Sequence, residues 1–117
     1  MAMDYAKVLK YLDVDFTVIG RSIEGTEKFY NQVGVTAVPH GLSNWKQKSP
    51  SRAKYGIIAV SCDALANTAI ELMDEGVRKI LLEKPAGLTA KQIKRVCVHA
   101  KKTGSNVYIA YNRRFYA

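Results

Sequence analysis

Lys79-Ile80-Leu81-Leu82-Glu83-Lys84-Pro85 is the stretch that decides how this chain is read. Ile80-Leu81-Leu82 is a short, continuously apolar run, the pattern of a strand covered on both faces. It ends in an acid, a base and a proline. Pro85 lacks a backbone N–H and restricts the residue before it, so strand pairing should stop near Lys84. In an open parallel sheet, ligands bind beyond the carboxyl ends of the strands. Glu83 and Lys84 would stand there, although a solvated ion pair at a strand end is the commoner meaning of such residues.

Working outward, the same alternation recurs. Toward the N-terminus, Gly56-Ile57-Ile58-Ala59-Val60-Ser61 reads as a buried strand. Asp63 follows as the N-cap of a helix carrying Leu65, Ala66, Ala69, Ile70, Leu72 and Met73, closed by Gly76. Toward the C-terminus, Thr89 caps a helix with Ile93, Val96, Cys97 and Ala100 inside and Lys91, Lys94, Arg95, Lys101 and Lys102 outside. Gly104 ends that helix, and Asn106–Tyr111 forms the last strand.

Earlier in the chain, Tyr5, Val8, Leu9 and Leu12 predict an amphipathic helix from about Met3 to Leu12. Phe16–Ile19 reads as a strand ending at Gly20. Ser22 then caps a helix with Ile23, Thr26, Tyr30 and Val33 inward and Gly34 as its stop. Val35–Val38 is a short strand before Pro39. The segment from His40 to Tyr55 reads as an irregular basic loop pinned by Trp45, with Pro50 breaking any helix.

Strands alternating with amphipathic helices imply parallel βαβ units. The fold class is therefore α/β: a doubly wound, mainly parallel Rossmann-like sheet with helices on both faces. The 117 residues suit one domain, and their 48% hydrophobic and 24% charged composition is ordinary for a globular protein. No apolar run reaches the ~20 residues of a membrane span, and no basic-then-apolar leader opens the chain. Isolated Cys62 and Cys97 read as buried thiols, and His40 and His99 lack neighbours at metal-ligand spacing. These features point to a cytoplasmic protein. The net charge of +8 favours anionic ligands.

With the strand ends placed, the order Ser61, Gly76, Glu83-Lys84-Pro85 and Asn112-Arg113-Arg114-Phe115 resembles the nucleotide-binding domain of the Gfo/Idh/MocA oxidoreductases. The resemblance covers nearly the whole chain. It implies NAD- or NADP-dependent oxidation or reduction of sugars, inositols and related polyols. Lys84 matches the family lysine beside the nicotinamide and the reacting hydroxyl, with Glu83 and Pro85 shaping its turn. Ser61 and Cys62 end a strand where the family backbone passes the cofactor, and Asn112 and Arg113 match the segment leading to the cleft. An acid after the second family strand would suit NAD. Here Gly20-Arg21-Ser22 stands at that place, which favours NADP.

The sequence also departs from the family pattern. The opening strand and its Gly-rich phosphate loop are missing, and Asp4 stands where the pyrophosphate would lie. Leu65, Ala66 and Asn67 occupy places where relatives often carry a histidine. The expectation is thus a single incomplete NAD(P)-binding domain over residues 1–117, lacking the family's second domain and not catalytic alone. Without its central strand the sheet should either close directly or pair with a second copy, so a dimer is expected. A non-catalytic interaction module is the alternative function. Nucleic-acid binding through the Lys91–Lys102 helix and the Lys46–Lys54 loop is the least favoured, since charged helix faces are ordinarily just solvated.

Overall fold

Alternation of apolar runs with amphipathic segments produces five helices and five short strands among residues 2–48 and 53–110, the residues that the computed structural model describes. The chain divides into two compact units, Met1–Ser51 and Arg52–Ala117. Every strand pairing is parallel, which confirms the α/β class.

The first unit contains α1 (Ala2–Tyr11), β1 (Val18–Ile19), α2 (Ile23–Val33), β2 (Ala37–Val38) and α3 (Gly41–Lys48). Ser22 caps α2 as expected, its Oγ accepting the Gly25 N–H at 3.0 Å. Gly34 closes α2 in the left-handed region, φ 77°, and donates its N–H to the Tyr30 carbonyl at 2.7 Å. The Lys10 ammonium donates to the Val33 carbonyl at 3.1 Å. It thereby satisfies an acceptor left over in the last turn of α2.

Thr26 and Val33 are buried beneath α2, but Ile23 and Tyr30, expected inside, are exposed. Two strands of two residues each are too small a platform for the whole apolar stripe of an eleven-residue helix. The basic segment after His40 also departs from expectation. Gly41–Lys48 is helical, although Pro50 follows closely in the sequence. Proline disfavours helical backbone at the residue preceding it but places no restriction on earlier turns. Trp45 is buried as expected, and the Asn44 side-chain amide donates to the Pro39 carbonyl at 3.0 Å.

The second unit contains β3 (Tyr55–Ile58), α4 (Leu65–Asp74), β4 (Lys79–Glu83), α5 (Ala90–Thr103) and β5 (Asn106–Ala110), with strand order β3-β4-β5. The register aligns Gly56, Ile80 and Val107 in one row and Ile58, Leu82 and Ile109 in the next. These rows join Leu65, Ala69 and Met73 of α4 and Val96 and Ala100 of α5 in one core. Leu65, Met73, Ile80 and Leu82 are almost completely buried, each worth about 1.5–3 kcal/mol relative to exposure. Thr89 caps α5 through the Gln92 N–H at 3.2 Å, and Gly104 ends it with φ 75°. A His99–Asp74 contact of 2.7 Å ties α5 to α4.

Several expectations need correction here. The opposite side of this sheet is not covered as a continuously apolar strand would suggest: Ile57 and Tyr108 are exposed, and Leu81 between them is half-buried. The N-cap of α4 is Ala64, not Asp63, and no side chain caps it. Both cysteines are exposed, Cys97 because it lies at the margin of α5's inner face and Cys62 because it follows the strand end. Among the described residues the strands form two parallel sheets, β1-β2 and β3-β4-β5, in keeping with the Rossmann-like α/β class. No helix of the described residues is long and apolar enough to cross a membrane.

Candidate functional site

The end of β4 separates its acid from its base. Glu83 is the last strand residue, and its side chain is 9% exposed. Its carbonyl accepts the Ala86 N–H at 3.0 Å, closing a four-residue turn that contains a cis Lys84–Pro85 peptide. Lys84 and Pro85 are exposed within that turn, whereas Ala86 is buried at 2% and holds φ 74°. The result is a buried acid followed by an exposed lysine at the carboxyl end of the strand, the end where a parallel sheet binds ligands.

The return into α5 is fixed by residues the sequence reading did not single out. A side-chain carbon at Gly87 would lie 3.1 Å from Gln92 Cβ, so only glycine passes there without displacement. Gln92 Oε1 accepts the Leu88 N–H at 2.6 Å while Thr89 Oγ1 accepts the Gln92 N–H at 3.2 Å. This is a capping-box exchange moved one residue outward. Thr89-Ala90-Lys91-Gln92 carries the Thr-x-x-Gln spacing that signals it.

Ser61 and Cys62 follow β3 by a few residues and are exposed. The Ser61 carbonyl accepts the Ala64 N–H at 2.9 Å, turning the chain toward α4. Because β3 and β4 are parallel neighbours with Ile58 opposite Leu82, Ser61, Cys62, Lys84 and Pro85 follow, and Glu83 ends, the strands at the same carboxyl end of one sheet. Asn112 and Arg113 lie outside the described residues. An apolar groove of about 220 Å³ between α5 and the sheet, lined by Leu82, Ala86, Ile93 and Val107 among others, offers little to a charged ligand.

In the first unit, Gly20 ends β1. Its N–H donates to the Val38 carbonyl and its carbonyl accepts the Gly41 N–H, both at 2.8 Å. A Cβ at Gly20 would sit 2.6 Å from Thr26 Cγ2, so α2 packs directly on this backbone. Arg21 and Ser22 are exposed at the N-terminus of α2. The Ser22 hydroxyl already serves as the helix cap. Gly20, Arg21 and Ser22 therefore belong to one unit and the Lys84 turn to the other. Among the described residues no group of three or more His, Cys, Asp or Glu is placed to hold a metal ion.

Parallel strands joined by helices, with an acid and a base at one strand's carboxyl end, define a Rossmann-like α/β domain. The chain belongs to the Gfo/Idh/MocA oxidoreductase family: the family's profile, an oxidoreductase family with an NAD-binding Rossmann fold, matches residues 14–111. No curated protein matches the sequence. Among solved structures, the WlbA dehydrogenase from Bordetella pertussis, in complex with NADH and UDP-GlcNAcA, aligns with a TM-score of 0.77 at 19% identity, over 96% of this chain and 33% of that one. A probable dehydrogenase from Thermotoga maritima gives 0.77 at 18%, over 96% and 33%. The myo-inositol 2-dehydrogenase from Lactobacillus plantarum gives 0.70 at 16%, over 87% and 30%. The chain thus spans about a third of the length of these solved relatives.

Proposed function

We propose that this domain binds a nicotinamide dinucleotide, NADP in preference to NAD, and serves an oxidoreductase acting on a sugar or polyol. The observation that carries the reading is the exposed Lys84 directly following a buried Glu83 at the end of β4, inside the segment that the family profile matches. Lys84 Nζ is suited to donate a hydrogen bond to the reacting alcohol or carbonyl oxygen, holding the substrate in place. The dinucleotide, when bound, supplies or accepts the hydride.

Arg21 is the residue we assign to a 2′-phosphate, as an exposed guanidinium beside the positive end of α2. Ser61, Cys62 and Pro85 would line the path past the strand ends, with Asn112 and Arg113 leading toward the substrate. The residues fit the adenosine end and the reacting end better than the pyrophosphate: no Gly-rich turn occurs among these 117 residues, and Asp4 stands in the first turn of α1. We assign these residues cofactor binding. The setting we infer is the cytoplasm.

The test is titration of the protein with NADPH and NADH, read by nicotinamide fluorescence. NADPH should saturate, and Arg21→Ala should weaken it about tenfold, as loss of one charge-assisted contact does. The substitution should leave NADH unchanged. Absence of saturation by millimolar NADPH would sink the reading. A second reading, an assembly module that dimerises through its sheet, rests on the small size of the two sheets, two and three strands among the described residues. A dimeric mass in the same buffer, with no dinucleotide bound, would favour it.

A further inference from the structure

The charge of this chain is segregated along its length. Eight of its eighteen Lys and Arg fall in residues 84–117, which contain no Asp or Glu, so residues 1–83 sum to zero. Five of those eight, Lys91, Lys94, Arg95, Lys101 and Lys102, lie on α5, and all five are exposed. None has an ion-pair partner among the described residues. At the angular step of an α-helix they occupy an arc of about 120° and extend about 16 Å along the axis. Lys91 stands in the first turn, where the helix dipole disfavours a cation. A local rule broken without compensation within the fold is a mark of use elsewhere.

Near the middle of that arc sits Val98, 57% exposed. Its position distinguishes the possible partners. A phosphate backbone gains nothing from an exposed valine, and the aromatic ring on this helix, His99, is only partly exposed and held by Asp74 at 2.7 Å. A small apolar centre inside a charged rim is the anatomy of a protein–protein contact. A second copy would bring the same cationic face and repel it.

We propose that the outer face of α5 docks an acidic protein surface, with an apolar side chain of the partner seated on Val98 and carboxylates meeting the surrounding Lys and Arg. This lies on the helix and not at the strand ends, so it is independent of dinucleotide binding.

The probe is a fluorescein-labelled Glu-rich amphipathic helical peptide with a leucine seam, compared with its Gln-for-Glu counterpart and with a short DNA duplex. Anisotropy would be read at about 50 mM and about 300 mM salt, across which screening tightens. The acidic peptide should saturate at low salt and bind at least about tenfold more tightly than the Gln peptide. The triple variant Lys94→Glu, Arg95→Glu, Lys102→Glu should lose about tenfold or more, and Val98→Ser should lose several-fold. All four sites are exposed, and unchanged circular dichroism would confirm that the variants fold. Equal affinity for both peptides would overturn the proposal. So would tighter binding of the duplex with Val98→Ser silent, which would mark a nucleic-acid surface. A dimeric mass abolished by the triple variant would also overturn it, marking a self-contact.

Discussion

Helices α2 and α5 are punctuated almost identically, yet they end in different environments. Each begins at a hydroxyl residue in extended backbone, Ser22 at φ −132°, ψ 160° and Thr89 at φ −132°, ψ 157°. Each hydroxyl accepts the N–H three residues on, and each helix closes on a left-handed glycine. But α5 lies in a unit whose three-stranded sheet and α4 complete a core, while α2 rides on two strands of two residues and leaves Ile23 and Tyr30 exposed. Helix ends are thus determined within a few residues of sequence. Burial is determined by how much sheet is available to receive the helix.

The widest separation should come from the core itself. Leu82→Ala, at a site with essentially no exposure in β4, should cost about 2–5 kcal/mol in urea unfolding followed by circular dichroism. A loss below about 1 kcal/mol would mean that the second unit is not the better-packed one, since full truncation of a buried leucine exceeds that. Next comes the close approach of α2 to β1. Gly20→Ala places a methyl against Thr26 Cγ2 and should destabilise by about 1–3 kcal/mol. Thr26→Ser removes that methyl and keeps the hydroxyl that donates to the Ile23 carbonyl at 2.8 Å. The double variant should therefore be less destabilised than the sum of its parts, and strict additivity would refute the contact. The smallest and most discriminating test is the pair of caps. Ser22→Ala and Thr89→Ala should each cost about 1 kcal/mol. A difference of more than twofold between them would show that the cap is read by its surroundings and not by local geometry alone.

What was legible in the sequence follows the same division. Ser22, Gly34, Thr89 and Gly104 announce helix ends because their effect is carried by backbone groups three or four residues away. The apolar run at Ile80–Leu82 announced β4 because its periodicity is local. The exposure of Ile57, Tyr108 and Cys97 was not legible, since it depends on which faces of a three-stranded sheet receive a helix. Helix α3 was obscured by Pro50, although a proline restricts the residue before it and not the turns further upstream. At the candidate site, the exposed Lys84 and the turn after β4 were legible from Glu83-Lys84-Pro85. The role of Gln92 could have been read from the Thr89-x-x-Gln92 spacing, whereas that of Gly87 could not, because its close neighbour becomes visible only when the turn is folded.

Ala86 narrows what evolution can do at this turn. Its backbone occupies a conformation that costs an L-residue about 1–2 kcal/mol, while its methyl is enclosed by the core. Glycine would relieve the first term and forfeit the packing, so the exchange comes out near balance. Anything larger than a methyl meets both penalties together, and a β-branched side chain meets them most severely. Position 86 is thereby confined to the two smallest residues, and the neighbouring Lys84 inherits a mutational landscape in which its presentation is hard to lose by drift.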